Sequence, residues 1–312
     1  MLAIATAIAA LCALHSIPTH SACLPLDLFR GSLKAIFSYL SFSVVKIAGK
    51  WQKLAFFLYM ADHRGMPQLK NTSIASHPEF KTHVQHIQIS PTESLHIRAL
   101  VDHMQYADPH GHAEALGIGP AVWPLFGLVW PSSIQLARKL KGRPVCPDEK
   151  ILELGCGLGL ASLVMHRRGA QVHASDCHPL APHFLKENQM LNGLSDLPYV
   201  HAQWGQQASP GLLSQLGLTP VRQRYDLIIG SDLLYERSTP ALLADLVSER
   251  AKQKAEVWVV DPDRGHRNKF TQEMARHGFR LMQQICLRDR PILTPSGDEL
   301  PYKGRCLQYS RH

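Results

Sequence analysis

Lys150-Ile151-Leu152-Glu153-Leu154-Gly155-Cys156-Gly157-Leu158-Gly159 is the stretch that decides the fold. Its first half is a short apolar run and its second half a glycine loop. The loop opens onto residues 160–168, whose apolar positions repeat at helical spacing. Strand, tight turn and helix in that order form the opening unit of a parallel α/β sheet. Glycines at 155, 157 and 159 permit left-handed backbone and leave no Cβ in the way, so main chain can approach a ligand closely.

The alternation continues downstream. Strands are predicted at 171–174, near 199–202, at 225–230 and at 256–260, and helices at 180–192, 239–252 and 268–277. Strands separated by helices imply a mostly parallel sheet covered on both faces. Residues 279–288 and 304–310 are strand-like, with only a loop holding Pro291, Pro295-Ser296-Gly297 and Pro301 between them, which predicts an antiparallel hairpin on the sheet edge. Upstream, Trp130-Pro131-Ser132-Ser133 opens a helix through Lys141, Gly111 to Gly119 reads as a loop, and residues 83–89 and 95–101 read as two strands joined at Ser90-Pro91. The expected fold is α/β, a Rossmann-like doubly wound, mostly parallel seven-stranded sheet with a C-terminal antiparallel hairpin, over residues 76–312.

The glycine spacing is GxGxG. A dinucleotide fingerprint is GxGxxG/A, and here Leu160 stands where the third small residue belongs. Glu153 beside the loop would repel a diphosphate but accepts bonds from an ammonium or hydroxyl. Asp176 follows the second strand, where an acidic side chain reaches ribose hydroxyls in nucleotide-binding α/β folds. Together these features describe an adenosyl ligand without phosphate. The competing account makes the glycines a simple tight turn and Asp176 a helix cap.

Asp232 and Tyr235 stand three apart after the fourth strand, so a helical turn there would put both on one face, bordering the reacting group. A carboxylate there would orient an amine acceptor, and an aromatic ring would attract a cationic product. The plainer account makes Asp232 an N-cap and Tyr235 core. Trp130 either packs over the cofactor or belongs to the core. Arg264 and Arg267 read as solvated loop residues, with an acidic substrate as the alternative. The histidines and cysteines show neither HExxH nor zinc-finger spacing, so no metal is expected.

These residues carry a family resemblance. Residues 123–282 resemble the class I methyltransferases, and within them methyltransferase family 16, the protein lysine methyltransferases and relatives. The match rests on Gly127-Leu128-Val129-Trp130-Pro131-Ser132-Ser133, on Glu153 through Gly159, and on Asp232-Leu233-Leu234-Tyr235, which is similar to the family's DxxY/F motif. The resemblance implies S-adenosyl-L-methionine as cofactor, with the glycine loop at the methionine portion, Asp176 at the ribose and Trp204 at the adenine. Members often carry an Asp just before that Trp, where this chain has Gln203. It also implies an enzyme that methylates a protein Lys or Arg nitrogen by in-line transfer. A small-molecule amine N-methyltransferase and a non-catalytic interaction module are the alternatives.

The composition fits a folded enzyme, at 45% hydrophobic and 19% charged residues. Although the net charge is +8, the cations are scattered and do not indicate nucleic acid. Seven cysteines without a CxxC pair suit a reducing compartment, the cytoplasm. Residues 1–75 are an apolar and amphipathic extension with no recognised match. No Lys or Arg precedes the apolar run from Leu2 to Leu14, and Lys34, Lys46, Lys50 and Lys53 interrupt the second run, Leu33 to Met60. Three readings stay open: a packing or membrane-surface extension (membrane contact falling on residues 1–60), an atypical targeting segment, or sequence upstream of a start at Met60 or Met66.

Overall fold

The computed structural model describes residues 80–205, 207–288, 291–293 and 299–312. The expectations for residues 1–75 lie outside the described residues. Two antiparallel strands come first, β1 (Thr82–Ser90) and β2 (Glu93–Leu100). There follow α1 (His112–Ala115), a 3-10 segment Pro120–Gly127, and α2 (Pro131–Lys141). The parallel unit is β3 (Lys150–Leu154), α3 (Leu160–Arg167), β4 (Gln171–Asp176), α4 (Ala181–Leu191) and β5 (Tyr199–His201). After α5 (Pro210–Gln215) come β6 (Tyr225–Ser231), α6 (Thr239–Arg250), β7 (Ala251–Asp261) and α7 (Arg267–Arg276). The tail holds β8 (Arg280–Cys286), the two-residue strands β9 (Ile292–Leu293) and β10 (Glu299–Leu300), and β11 (Arg305–Arg311).

Seven strands form one sheet in the order β5-β4-β3-β6-β7-β11-β8. Strands β3 to β7 run parallel, and β11 is antiparallel to both β7 and β8. The tail hairpin thus supplies two of the seven strands, with its second strand inserted next to β7. The chain leaves β3 toward β4 and β5, then returns to β6 on the other side. The sheet therefore has a topological switch point at the carboxyl ends of β3 and β6, where such folds bind ligands.

Each sheet face carries its own core. One is built from α2, α3 and α4 around Leu136, Leu140, Leu163, Val164 and Phe184, the other from α6 and α7 around Leu243, Val247, Phe270 and Met274. The β1–β2 hairpin stands outside the main sheet and docks on α4. Asn188 Oδ1 and Asn192 Oδ1, one helical turn apart, accept from the Arg98 and His96 amides at 2.7 and 3.0 Å, so α4 side chains satisfy the β2 edge. Beside them the buried Arg98 donates to Glu187 at 2.8 Å.

Four expectations are corrected. The loop expected from Gly111 to Gly119 contains α1, because Asp108 accepts from the Glu114 amide at 2.9 Å while Ala113 and Leu116 bury in a satellite core. The helix expected to reach Lys252 stops at Arg250, and β7 begins at Ala251, which pairs with Tyr225. Residues 232–235 are irregular backbone and not a helical turn: Asp232 turns off β6 at φ 61° and Leu233 and Leu234 bury. Arg264 is not solvated, because Asp232 draws it in. Among the described residues no helix is long and apolar enough to cross a membrane.

Candidate cofactor loop and acceptor rim

The loop after β3 is held from the β4 side. Cys156 N–H donates to Ser175 O at 2.8 Å, and Ser175 Oγ donates to Glu153 O at 2.6 Å. Gly155 and Gly157 have φ of 59° and 52°. A Cβ on Gly155 would lie 2.5 Å from Leu233 Cδ2 and 3.6 Å from Trp204 Cη2, and one on Gly157 would lie 2.8 Å from Phe126 O. The loop is therefore flanked by the exit of β6, the exit of β5 and the 3-10 segment, with no space for side chains. Gly159 is the left-handed residue that starts α3.

Asp176 ends β4 against this loop. Its Oδ2 accepts from Gly157 N–H and its Oδ1 from His178 N–H, each at 2.9 Å. The carboxylate is thus bound to the loop and to the turn before α4, whose N-cap is Leu180 and not Asp176. Burial raises its pKa, opposed by those two amides and by Cys177. His178 stacks on Phe126 with ring centroids 3.9 Å apart, and burial pushes its pKa down to about 3, so the imidazole is neutral.

Glu153 is 1% exposed and lies behind the loop. Its Oε2 accepts from the Ser162 amide at 2.8 Å and from the Ser162 hydroxyl, which fastens the first turn of α3 to β3. Burial pushes its pKa up to about 7. Trp204, half-buried, packs on the core that includes Leu233. Gln203 donates from Nε2 to Leu116 O at 2.8 Å, and its buried Oε1 has no partner at hydrogen-bonding geometry. That orphaned acceptor suits an adenosyl group with an exocyclic amine. Trp130 is half-buried at the N-terminus of α2, with its indole N–H bound to Leu125 O at 2.9 Å.

Across the switch point, β6 delivers Asp232. Its amide donates to Val260 O at 2.9 Å, fixing the left-handed turn. Oδ2 accepts from Ser132 Oγ at 3.1 Å, and that hydroxyl also bonds Tyr302 Oη at 2.9 Å. Oδ1 is paired with Arg264 Nη1. Next to them Asp261, at the end of β7, is 1% exposed. Its Oδ2 accepts from Asp263 N–H at 2.8 Å, and its Oδ1 is buried without a hydrogen-bond partner. Burial, with the charge of Asp232 adding to it, pushes Asp261 up to about 6 against the pull of the Asp263 amide and Arg264. Tyr235 lies between the two groups. Its pKa is raised by burial, then by Cys177, Glu236 and Asp176, with Arg264 opposing.

The structure thus gathers Gly155, Gly157, Gly159, Asp176 and Trp204 on one side, and Asp232 on the other, with Tyr235 between. Sequence reasoning missed Ser132, Asp261 and Tyr302 as parts of the rim, and favoured a solvated loop residue for Arg264 over one facing an acidic substrate. Only Asp261 had a local signal, a carboxylate ending a parallel strand beside the switch point.

Fold and rim define a class I methyltransferase domain. Residues 115–277 match the family model described as lysine methyltransferase, and the chain belongs to that family. The electron transfer flavoprotein beta subunit lysine methyltransferase of Danio rerio is 38% identical over 87 residues, which cover 26% of this chain and 34% of that protein. The histone-arginine methyltransferase METTL23 of Xenopus laevis is 32% identical over 111 residues, 35% of this chain and 44% of that one. The calmodulin-lysine N-methyltransferase of Arabidopsis thaliana is 30% identical over 165 residues, 49% and 51% respectively. The chain thus spans between a third and about half of the length of these relatives.

Proposed function

We propose that this chain is an S-adenosyl-L-methionine-dependent methyltransferase that methylates a side-chain nitrogen, Lys or Arg, of a protein substrate. The observation that carries the reading is the placement of the glycine loop and Asp176 on one side of the switch point and Asp232 on the other. Family membership and relatives named for lysine or arginine methylation of proteins support the acceptor class. Five described cysteines are free thiols, which supports a reducing compartment, the cytoplasm.

The cofactor would supply an electrophilic methyl group on a sulfonium. Main chain at Gly155, Gly157 and Gly159 lines its approach, and Glu153 fixes that main chain through Ser162. Asp176 accepts from ribose hydroxyls, Gln203 Oε1 from the adenine amine, and Trp204 and Trp130 supply apolar cover. On the acceptor side Asp232 orients the nitrogen and stabilises the positive charge that develops on it. Tyr235 offers its ring to the methylated cation, an attraction of ~0.5–2 kcal/mol.

Two measurements test this. Calorimetry is expected to show S-adenosylhomocysteine binding, weakened at least tenfold by Asp176→Ala. Mass spectrometry of lysate proteins incubated with the chain and labelled cofactor is expected to show methylated Lys or Arg. No heat at high ligand concentration, or label only in dialysable molecules, would refute it.

A further inference from the structure

Resting on that reading, we propose that Arg264 is a positioning residue that holds a positive charge at the acceptor carboxylate and so sets the site to take the acceptor nitrogen uncharged. Nitrogen methylation forms an N–C bond with the nitrogen lone pair while the C–S bond of the sulfonium breaks and its electron pair stays on sulfur. An ammonium has no lone pair, so its proton must pass to water first. A lysine titrates near pH ~10.4, and a lone carboxylate beside it favours the charged, unreactive form. A cation held on that carboxylate offsets the effect.

The geometry is built for this. Asp232 is presented on a left-handed turn, pinned by its amide to Val260 O. Both of its oxygens are engaged from other elements, by Ser132 from α2 and by Arg264 from the loop after β7. That loop is braced from outside. Asp263, also left-handed at φ 67°, pairs with Arg267 at 2.8 Å and with Arg305 of β11 at 3.4 Å, which directs Arg264 inward to 14% side-chain exposure. Among the described residues, groups that face the pair include Ser132 from α2, Tyr235 from the exit of β6, Asp261 from the end of β7, and Tyr302, which reaches Asp232 through Ser132 from the segment before β11. Asp261 adds negative charge near Arg264, which keeps the guanidinium in place.

The test uses the full chain and the variants Arg264→Gln and Arg264→Lys. With S-adenosylhomocysteine present at pH 7, NMR titration with n-butylammonium is expected to show about tenfold tighter binding to Arg264→Gln than to wild type, from a like charge removed within ~4–6 Å. Arg264→Lys should bind as wild type does. With total lysate protein as acceptor, the acidic limb of the methyl-transfer pH profile is expected to move up by about 1–2 pH units in Arg264→Gln, with KM falling at neutral pH. A merely structural role moves neither readout in that direction. An unmoved limb, or butylammonium binding no tighter, overturns the proposal. Should Arg264→Gln not fold, wild type still decides: it is expected to bind 1-butanol, the uncharged isostere, at least as tightly as n-butylammonium, and the reverse order overturns the proposal. Failure of the methyltransferase reading shows separately, as no S-adenosylhomocysteine heat with wild type.

Discussion

Gly157→Ala separates backbone strain from steric closure of the loop. At φ 52° an alanine pays ~1–2 kcal/mol for left-handed backbone. Its Cβ would also meet Phe126 O at 2.8 Å, a main-chain atom that no rotamer change can remove. Moving it disturbs the stack of Phe126 on His178 and its edge contact with Phe184. Overpacking of this kind costs about 1–3 kcal/mol more. Gly169 is the control, with φ 82° and nothing within 4 Å of its Cβ, so Gly169→Ala pays for backbone alone. Thermal unfolding is expected to place Gly157→Ala about 2–12 °C below Gly169→Ala, at about 2–4 °C per kcal/mol. Calorimetry should show S-adenosylhomocysteine affinity reduced at least tenfold in Gly157→Ala and unchanged in Gly169→Ala. Equal melting temperatures with equal affinities would refute the claim that Phe126 is a fixed wall over the loop.

Three further outcomes are expected. The Glu153 carboxyl, at about 7 in the fold against an ordinary 4.5, favours the folded state while protonated. That contribution is complete below pH 4.5 and is lost as pH rises through 7, on the order of 3 kcal/mol. Glu153→Gln, which keeps an acceptor for Ser162, should therefore gain melting temperature over wild type steadily from pH 5 to pH 8, and a gap independent of pH would contradict this. Asp232→Asn should keep S-adenosylhomocysteine affinity within about threefold while methyl transfer falls by about 10²–10³, and equal loss of both would place Asp232 in the cofactor site. Arg98→Met should cost about 1–3 kcal/mol in denaturant unfolding by taking the buried cation from Glu187, which keeps His183 at 3.3 Å, with cofactor-analogue affinity unmoved.

What was legible in the sequence was what local pattern encodes. Residues 150–159 carry strand, loop and helix start within ten positions, and the βα alternation after them follows from apolar periodicity. Segment α1 leaves no such trace, because four residues make one turn and Asp108 with the satellite core holds it. The 3-10 segment, with Pro120 and Pro124, carries no helical or strand period, and the place of Phe126 against the loop exists only in the assembled fold. On the rim, Arg264 is 32 positions from Asp232, Ser132 is 100 from it, and Tyr302 is 170 from Ser132. Pairings at such separations have no period and exist only once the sheet is assembled.

The same separations bear on which acceptor the rim takes. The proposed cofactor side is made by β3, β4, β5 and the turns that follow them, all inside the stretch 115–277 that matches the family model. On the proposed acceptor side, Asp232 is braced through Ser132 by Tyr302, and the loop carrying Arg264 is braced by Arg305. Both braces come from the tail beyond that stretch. A tail that inserts β11 beside β7 therefore sets how firmly Asp261, Asp263 and Arg264 are held, and with them the charge an incoming side chain meets. On the proposed reading, chains sharing the glycine loop and Asp176 would differ in acceptor where their tails differ, because the tail acts on the opposite side of the switch point. Exchanging residues 287–312 between two such chains should accordingly move acceptor preference while leaving cofactor-analogue affinity in place. A matching loss of both would tie the tail to the cofactor loop instead.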